Sequence, residues 1–439
     1  MRRFAAGRNG PPWELDCSGP TGPFKMTMEH PKLRYGLEAL PMQHEGQNMI
    51  LLRDRMGHSS DSLLLSPVVA ELVIRMDGTN SFRDLQALFL RMTGEMLYTE
   101  TLDEIVQKLD QNLFLENARF IDHVARQVAR YRDDPVRRMR HAGQSYPSDA
   151  ELLNRRLEGF FSAEDGGPGL PGAARDNRPV LGLVAPHIDI QAGGRCFAHA
   201  YKAAADSVSP RTWIVLGTGH ELVSNYFALT AKDFETPLGL VGHDEECCAH
   251  LVNSAKRDIL AGEYNHVREH TVEFQAVFLA YVQPGAKIVP LLCSFSHEDL
   301  ETDGEYIDHF AGLLRDLVLT RSVGILASVD LAHIGPRYGD RFQPTDSTVK
   351  DHMASDRGLV ESLRECDAEA FIRQIRLEGN RRKICGVAPL YVLAQALSGL
   401  AQGRLLDHAH VRVDPYGSFV TFASMIFHGT QASPGSDSE

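Results

Sequence analysis

Three apolar runs of strand type each end in a short polar turn that carries a histidine, and this recurrence constrains the chain more than any other feature. Val180–Ala185 ends at Pro186-His187, and Thr212–Leu216 at Gly217-Thr218-Gly219-His220. Val323–Ala327 ends at Ser328-Val329-Asp330, with His333 three residues on. A fourth run, Lys287–Cys293, has no such histidine. Continuous rather than alternating apolarity predicts parallel strands covered on both faces. Helical spacing fills the gaps at Ala198–Ala205, Glu273–Tyr281, Ile307–Leu319, Asp367–Ile375 and Ala388–Leu397, and a strand closes the series at Phe419–Phe427. Strands alternating with helices make an α/β domain with a largely parallel central sheet. Ligands bind such sheets beyond the carboxyl ends of the strands, where the three histidines fall.

Neutral imidazole is the commonest side-chain metal ligand, and imidazole mixed with carboxylate suits iron(II) or zinc. His187, His220 and His333 are therefore read together as candidates for one centre. A fourth candidate is the Glu269-His270 pair with Glu273, since Phe274, Val277, Phe278 and Tyr281 mark a helix on which His270 and Glu273 share a face. Asp330 adds a carboxylate three residues before His333. No G-x-x-x-x-G-K-S/T loop and no G-x-S-x-G elbow occur, which argues against a phosphate loop and a serine hydrolase. Cys247-Cys248 with His250 makes a poor chelator. Cys385-Gly386 reads either as a nucleophile or as a buried residue at the entry to a helix.

The charge balance, 45 basic against 58 acidic residues for a net of −13, argues against a general nucleic-acid binder. No run of 18 apolar residues offers a membrane span. Seven cysteines without any C-x-x-C spacing argue against a disulfide framework or a thiolate zinc site and fit a reducing cytoplasm. The first 25 residues lack the apolar core of a secretory signal, and tails are expected at 1–29 and 431–439.

Between them, residues 30–125 read as a small helical, winged-helix-like module. Ser66-Pro67 opens one helix and Asp77-Gly78 stops it; Ser81 opens a second that ends at Gly94; Thr101 and Glu104 form a capping box for a third. Strand-like pieces flank the trio at Met49–Leu52 and Phe114–Phe120, and Leu72, Leu85, Phe89, Ile105 and Leu109 are its expected core. The alternative is a helical cap on a larger domain. A linker at 126–138 and a loop at 163–177 precede the sheet.

Pro186-His187, Gly217-Thr218-Gly219-His220, Thr236-Pro237-Leu238, Glu269-His270-Thr271-Val272-Glu273, Ile288-Val289-Pro290, Ser328-Val329-Asp330 with His333, and Cys385-Gly386 occur in the order seen in Memo-like proteins. Residues 139–430 thus resemble that family, which includes protein B of the AmmeMemoRadiSam system; Tyr146-Pro147 before a leucine-spaced helix looks like its usual start. Residues 30–125 lie outside the likeness and are similar, more weakly, to winged-helix peptide-binding domains that partner radical-SAM enzymes. The resemblance implies the fold of LigB-type extradiol dioxygenases and a metal-dependent, oxidoreductase-like protein with a radical-SAM and an AMMECR-type partner. His187 and His220 would hold the metal, iron(II) first and zinc or copper next. His270 would complete the shell or act with His333 in acid–base chemistry, with Glu273 and Asp330 orienting them. A third ligand in the animal proteins is a cysteine aligned with Ala332, which has no donor. A non-catalytic adaptor is the main alternative, and a zinc hydrolase using Glu273 as base a lesser one.

Overall fold

The computed structural model describes residues 29–172, 176–222 and 225–430; the tails expected at 1–29 and 431–439 lie outside the described residues except for Glu29. The chain divides into two compact units, Met1–Asp133 and Asp134–Glu439. Among the described residues no helix is long and apolar enough to cross a membrane.

In the first unit three antiparallel strands, β1 (Leu37–His44), β2 (Gln47–Asp54) and β3 (Ser62–Leu65), lie in the order β1-β2-β3. Helices α1 (Pro67–Ile74), α2 (Phe82–Thr93), α3 (Thr99–Gln111) and α4 (Ala118–Asp133) follow. Ser66 caps α1 through the Val69 amide, and Ser81 with Asp84 forms a reciprocal capping box on α2, which Gly94 ends in the left-handed conformation. The box expected at Thr101 is not used. Helix α3 starts a half-turn earlier, after Tyr98, whose side chain caps nothing. The strand expected at Phe114–Phe120 is also absent: Leu115 makes a single bridge to Leu33, and Ala118 already opens α4. Leu72, Leu85, Leu102, Val106, Leu109 and Phe114 fill the core, with Phe89 and Ile105 packed at its margin.

The second unit opens with β4 (Val136–Arg137), in the stretch read as a linker, and α5 (Ala150–Phe161). Then come β5 (Asp176–Ala185), α6 (Ile190–Ala205), β6 (Ser207–Val208), β7 (Thr212–Thr218), β8 (Phe227–Leu229), β9 (Asp233–Thr236), β10 (Gly239–Val241) and α7 (Glu245–Ser254). They are followed by α8 (His270–Val282), β11 (Lys287–Cys293), α9 (Asp299–Arg321), β12 (Val323–Ser328) and β13 (His333–Ile334). Helices α10 (Asp346–Arg364), α11 (Ala368–Glu378) and α12 (Val387–Leu397) precede β14 (Ala401–Arg412) and β15 (Phe419–Gly429).

The main sheet runs β13-β15-β5-β12-β7-β11-β8, with β14 on β15 and β6 on β5. Its centre, β5-β12-β7-β11, is parallel; β8, β13, β14 and β15 pair antiparallel, so the sheet is mixed. Strands β7 and β12 are buried along their whole length because helices cover both faces. Alternate residues feed two cores: Val184, Ile214 and Leu216 pack with Phe310, Leu314 and Leu393, while Leu183, Trp213 and Val215 pack with Phe197, Tyr201 and Phe278. The parallel arrangement brings the carboxyl ends of β5, β12 and β7 side by side.

A buried ion pair fixes α8 against this framework. Arg137 of β4 pairs with Glu273, and both side chains are almost fully buried. Glu273 also accepts the Tyr146 hydroxyl and the backbone amides of Arg140 (3.1 Å) and His141 (2.8 Å). Arg137 donates to the carbonyls of His266 (2.9 Å) and Glu269 (3.0 Å) at the head of α8. Burial favours a neutral Glu273, but Arg137, His141 and the hydrogen bonds prevail and hold it below its ordinary 4.5. A folded value below the unfolded one means the stabilisation is full above pH 4.5 and is lost as the pH falls through the lower, folded value. Removing the carboxylate leaves Arg137 buried and unpaired, so Glu273→Ala is expected to cost about 3–5 kcal/mol at pH 7 in urea unfolding. The difference from wild type should shrink as the pH is taken below 4; a difference that stays constant well below that pH would show that Glu273 is not ionised in the fold.

Candidate metal centre

The helix head that Arg137 holds carries the first part of the site. Glu269 caps α8 by accepting the amides of His270 (2.9 Å) and Thr271 (3.2 Å), a role that usually falls to Ser, Thr, Asp or Asn. The longer side chain reaches across to the end of β7, where its carboxylate accepts the backbone amide and the Nδ1–H of His220, both at 3.1 Å. It also lies 3.1 Å from Nδ1 of His270. This approach depends on Gly217: a Cβ there would stand 2.4 Å from the Thr271 hydroxyl and 2.9 Å from Val272. Burial would lift the Glu269 carboxyl, but the bonds from His220 and His270 hold it well below the carboxylate range.

The second part sits at the ends of β5 and β12. The Ser328 carbonyl can only accept, so the 2.9 Å contact assigns a proton to Nδ1 of His187 and leaves the Nε2 lone pair free. Buried Asp330 accepts the amides of His187 and Ile188 (3.1 Å each), and its other oxygen lies 3.5 Å from Nε2 of His187. Burial pushes Asp330 up to about 6. Burial, with the neighbouring His220 and His270, holds His187 well below its ordinary value, so it is neutral.

The third part is Cys385, at the turn into α12, with its Sγ 3.2 Å from Nε2 of His187. Gly386 lets that turn lie against the end of β12, since a Cβ there would meet Val329 at 2.6 Å and the Asp330 carbonyl at 3.0 Å. The donor atoms of His187, His220 and Cys385 all lie within 4.8 Å of one another, as do those of His220, Glu269 and His270.

Zinc or a similar ion with sulfur at ~2.3 Å and nitrogen at ~2.0 Å holds such donors about 3.5 Å apart at a tetrahedral angle. The residues therefore fit a metal ion. Each imidazole has its other nitrogen anchored on a carbonyl or carboxylate, which is how protein metal ligands are usually fixed. Burial also pushes the Cys385 thiol up, so its ionised form calls for a cation beside it.

Of the residues singled out in the sequence, His187 and His220 come together, their ring centres 5.1 Å apart, and His270 stands 5.4 and 5.3 Å from them. Asp330 is against His187. His333 is near but outside both donor groups: its Nδ1 faces the Leu331 carbonyl at 3.0 Å, its ring meets Tyr338, and burial lowers it to about 4. Glu273 is not in the site, because it is saturated by Arg137, Tyr146 and two amides. Ala332, aligned above with a ligand cysteine, packs among Ile334, Val349 and Phe419. The cysteine that reaches the histidines is Cys385, and the carboxylate that organises them is Glu269. Cys385-Gly386 before an apolar helix was the available signal for the first, and the acidic residue opening α8 for the second.

The family model described as "Memo-like protein" matches residues 137–426. A MEMO1 family protein of Aquifex aeolicus is 26% identical over 400 residues, covering 91% of this chain and 100% of its own length. That span is longer than the second unit, so the likeness extends into the first. MEMO1 family protein MK0963 of Methanopyrus kandleri is 32% identical over 296 residues, covering 65% of this chain and 96% of its own length. MEMO1 family protein MTH_45 of Methanothermobacter thermautotrophicus is 28% identical over 280 residues, 62% of this chain and 93% of its own.

Glu269→Gln keeps the shape of the cap but cannot hold the His220 ring by charge. The affinity for zinc, measured by competition with a chromophoric chelator, should fall about 10–100-fold. Unchanged affinity in a folded variant would mean that the carboxylate does not set the His220 ring for binding.

Proposed function

The chain belongs to the Memo-like family, and from that premise we propose that it binds one metal ion between His187, His220 and Cys385 and works as a metal-dependent, oxidoreductase-like protein. The observation that carries this reading is the convergence of two imidazoles and one thiol from three separate parts of the chain on one point, with each imidazole's second nitrogen already held. Iron(II) is the ion we favour, and zinc or copper(I) also suit imidazole with thiolate. Bound there, iron(II) supplies redox chemistry with coordination positions left open for a substrate.

The chain's own groups supply the rest. His187 and His220 bind and orient; Glu269 and the Ser328 carbonyl fix their rings. His270, with Nδ1 toward Glu269 and its ring centre 5.4 and 5.3 Å from those of His187 and His220, serves as the acid–base group beside the centre. His333, held down to about 4, is neutral at physiological pH. A hollow of about 710 Å³ opens beside Cys385, lined among others by Thr218, Tyr226, Arg257, Asp299 and Asp303, and is large enough for a small polar substrate. A radical-SAM protein and an AMMECR-type protein are the partners we propose, on the family likeness alone.

Protein purified without oxygen should carry about one metal ion per chain by elemental analysis. His187→Ala with His220→Ala should abolish it, and Cys385→Ser should weaken binding at least about tenfold. Ala332→Cys should leave the metal content unchanged because that residue packs among apolar side chains. Fully folded protein that takes up no iron, zinc or copper would overturn the reading in favour of an adaptor that keeps the cleft without catalysis.

A further inference from the structure

The amino end of β5 belongs to a different environment from its carboxyl end. Arg178, near its start, lines a hollow of about 700 Å³ together with Arg357 and Arg364 of α10, Arg404 of β14 and the buried His428 of β15. Seven residue steps of β5 and the turn at Pro186 separate Arg178 from His187, and at ~3.3 Å per residue the strand alone puts this hollow more than about 20 Å from the candidate metal centre. Arg357, Glu361 and Arg364 lie at helical spacing and so share one face of α10.

The charges on the lining do not cancel. Arg364 is taken by Glu361 at 2.9 Å, and Arg178 by Asp176 at 2.6 Å. The side chains of Arg357 and Arg404 make no hydrogen bond or ion pair among the described residues, yet both line the same hollow. Two guanidinium groups without a carboxylate partner thus line one concavity in a chain whose net charge is −13. Unpaired positive charges lining one hollow favour an anion, best one carrying at least two negative charges. The planar guanidinium fork matches the oxygens of a phosphate, two at a time. A hollow of this size takes a small molecule rather than a polymer, and the acidic surface as a whole disfavours nucleic acid.

We propose that this hollow binds a soluble phosphorylated small molecule, gripped by Arg357 and Arg404. The proposal is independent of the metal reading, and its test needs no metal. Inorganic pyrophosphate titrated into the full chain by calorimetry should bind saturably at one site. Arg357→Ala and Arg404→Ala should each weaken it about tenfold or more, as expected for loss of a charge-assisted contact. Arg404→Lys, which keeps the charge and loses the fork, should fall between wild type and Arg404→Ala. Arg341→Ala, an exposed arginine outside the lining, should change nothing. The substituted arginines, Arg341, Arg357 and Arg404, are exposed, and thermal melting of each variant confirms that it is folded. Absence of saturable pyrophosphate binding, or an equal loss in Arg341→Ala, would overturn the proposal. So would co-sedimentation with phosphatidic-acid vesicles that depends on Arg357 and Arg404 without any binding of free pyrophosphate, since the source would then be a lipid headgroup.

Discussion

One buried carboxylate governs the arrangement of the site. Glu269 is removed from water, and an ion in that position is tolerated only if donors surround it. The fold supplies three backbone amides and two imidazoles from the head of α8 and the end of β7. Satisfying that charge therefore fixes the distance between a helix and a strand and the rotation of two rings in a single step. The α8 dipole adds to the effect, because its amino end favours a negative charge. The Arg137–Glu273 pair does the same work one turn further along, so α8 is anchored by two buried carboxylates with different partners.

How far the chain could be read in advance follows from what pattern reasoning measures. Apolar runs with histidines at their ends gave the parallel strands β5, β7 and β12 and the edge where they converge, since strand direction and period are local properties. His270 and Glu273 share a helical face, and spacing alone groups them. Spacing defines a face but not what lies along it: one turn toward the carboxyl end, that face leaves the cleft and meets Arg137 and Tyr146. Cys385 stood 198 residues from His187 in sequence, and nothing local says that the entry to α12 returns to the end of β5. Order along the chain points to Ala332, whereas the thiol that reaches His187 is set by the turn at Gly386.

The edges of the sheet and the first unit carry the same lesson in smaller form. The capping signal at Thr101 was chemically sound, yet α3 begins earlier because Leu102 is already wholly buried as part of the apolar face. Tertiary packing outweighed a cap that contributes about 1 kcal/mol. The long strand β14 was unread because its residues are half-exposed and mixed in polarity, while β15, buried along nearly all its length, announced itself as an apolar run.

The position of β15 also has a consequence for the order of events in synthesis. The last strand among the described residues is hydrogen-bonded to β5, the first long strand of the main sheet, and Cys385 too lies late in the second unit. Until those residues are made, β5 has an unpaired edge and the two histidines lack their sulfur neighbour. Assembly of the centre is therefore an act of completion. A chain that has been translated only as far as β12 already holds both imidazoles but neither the Cys385 thiol nor the strand that closes the edge of β5, so the donor set comes together only once the late part of the second unit is in place.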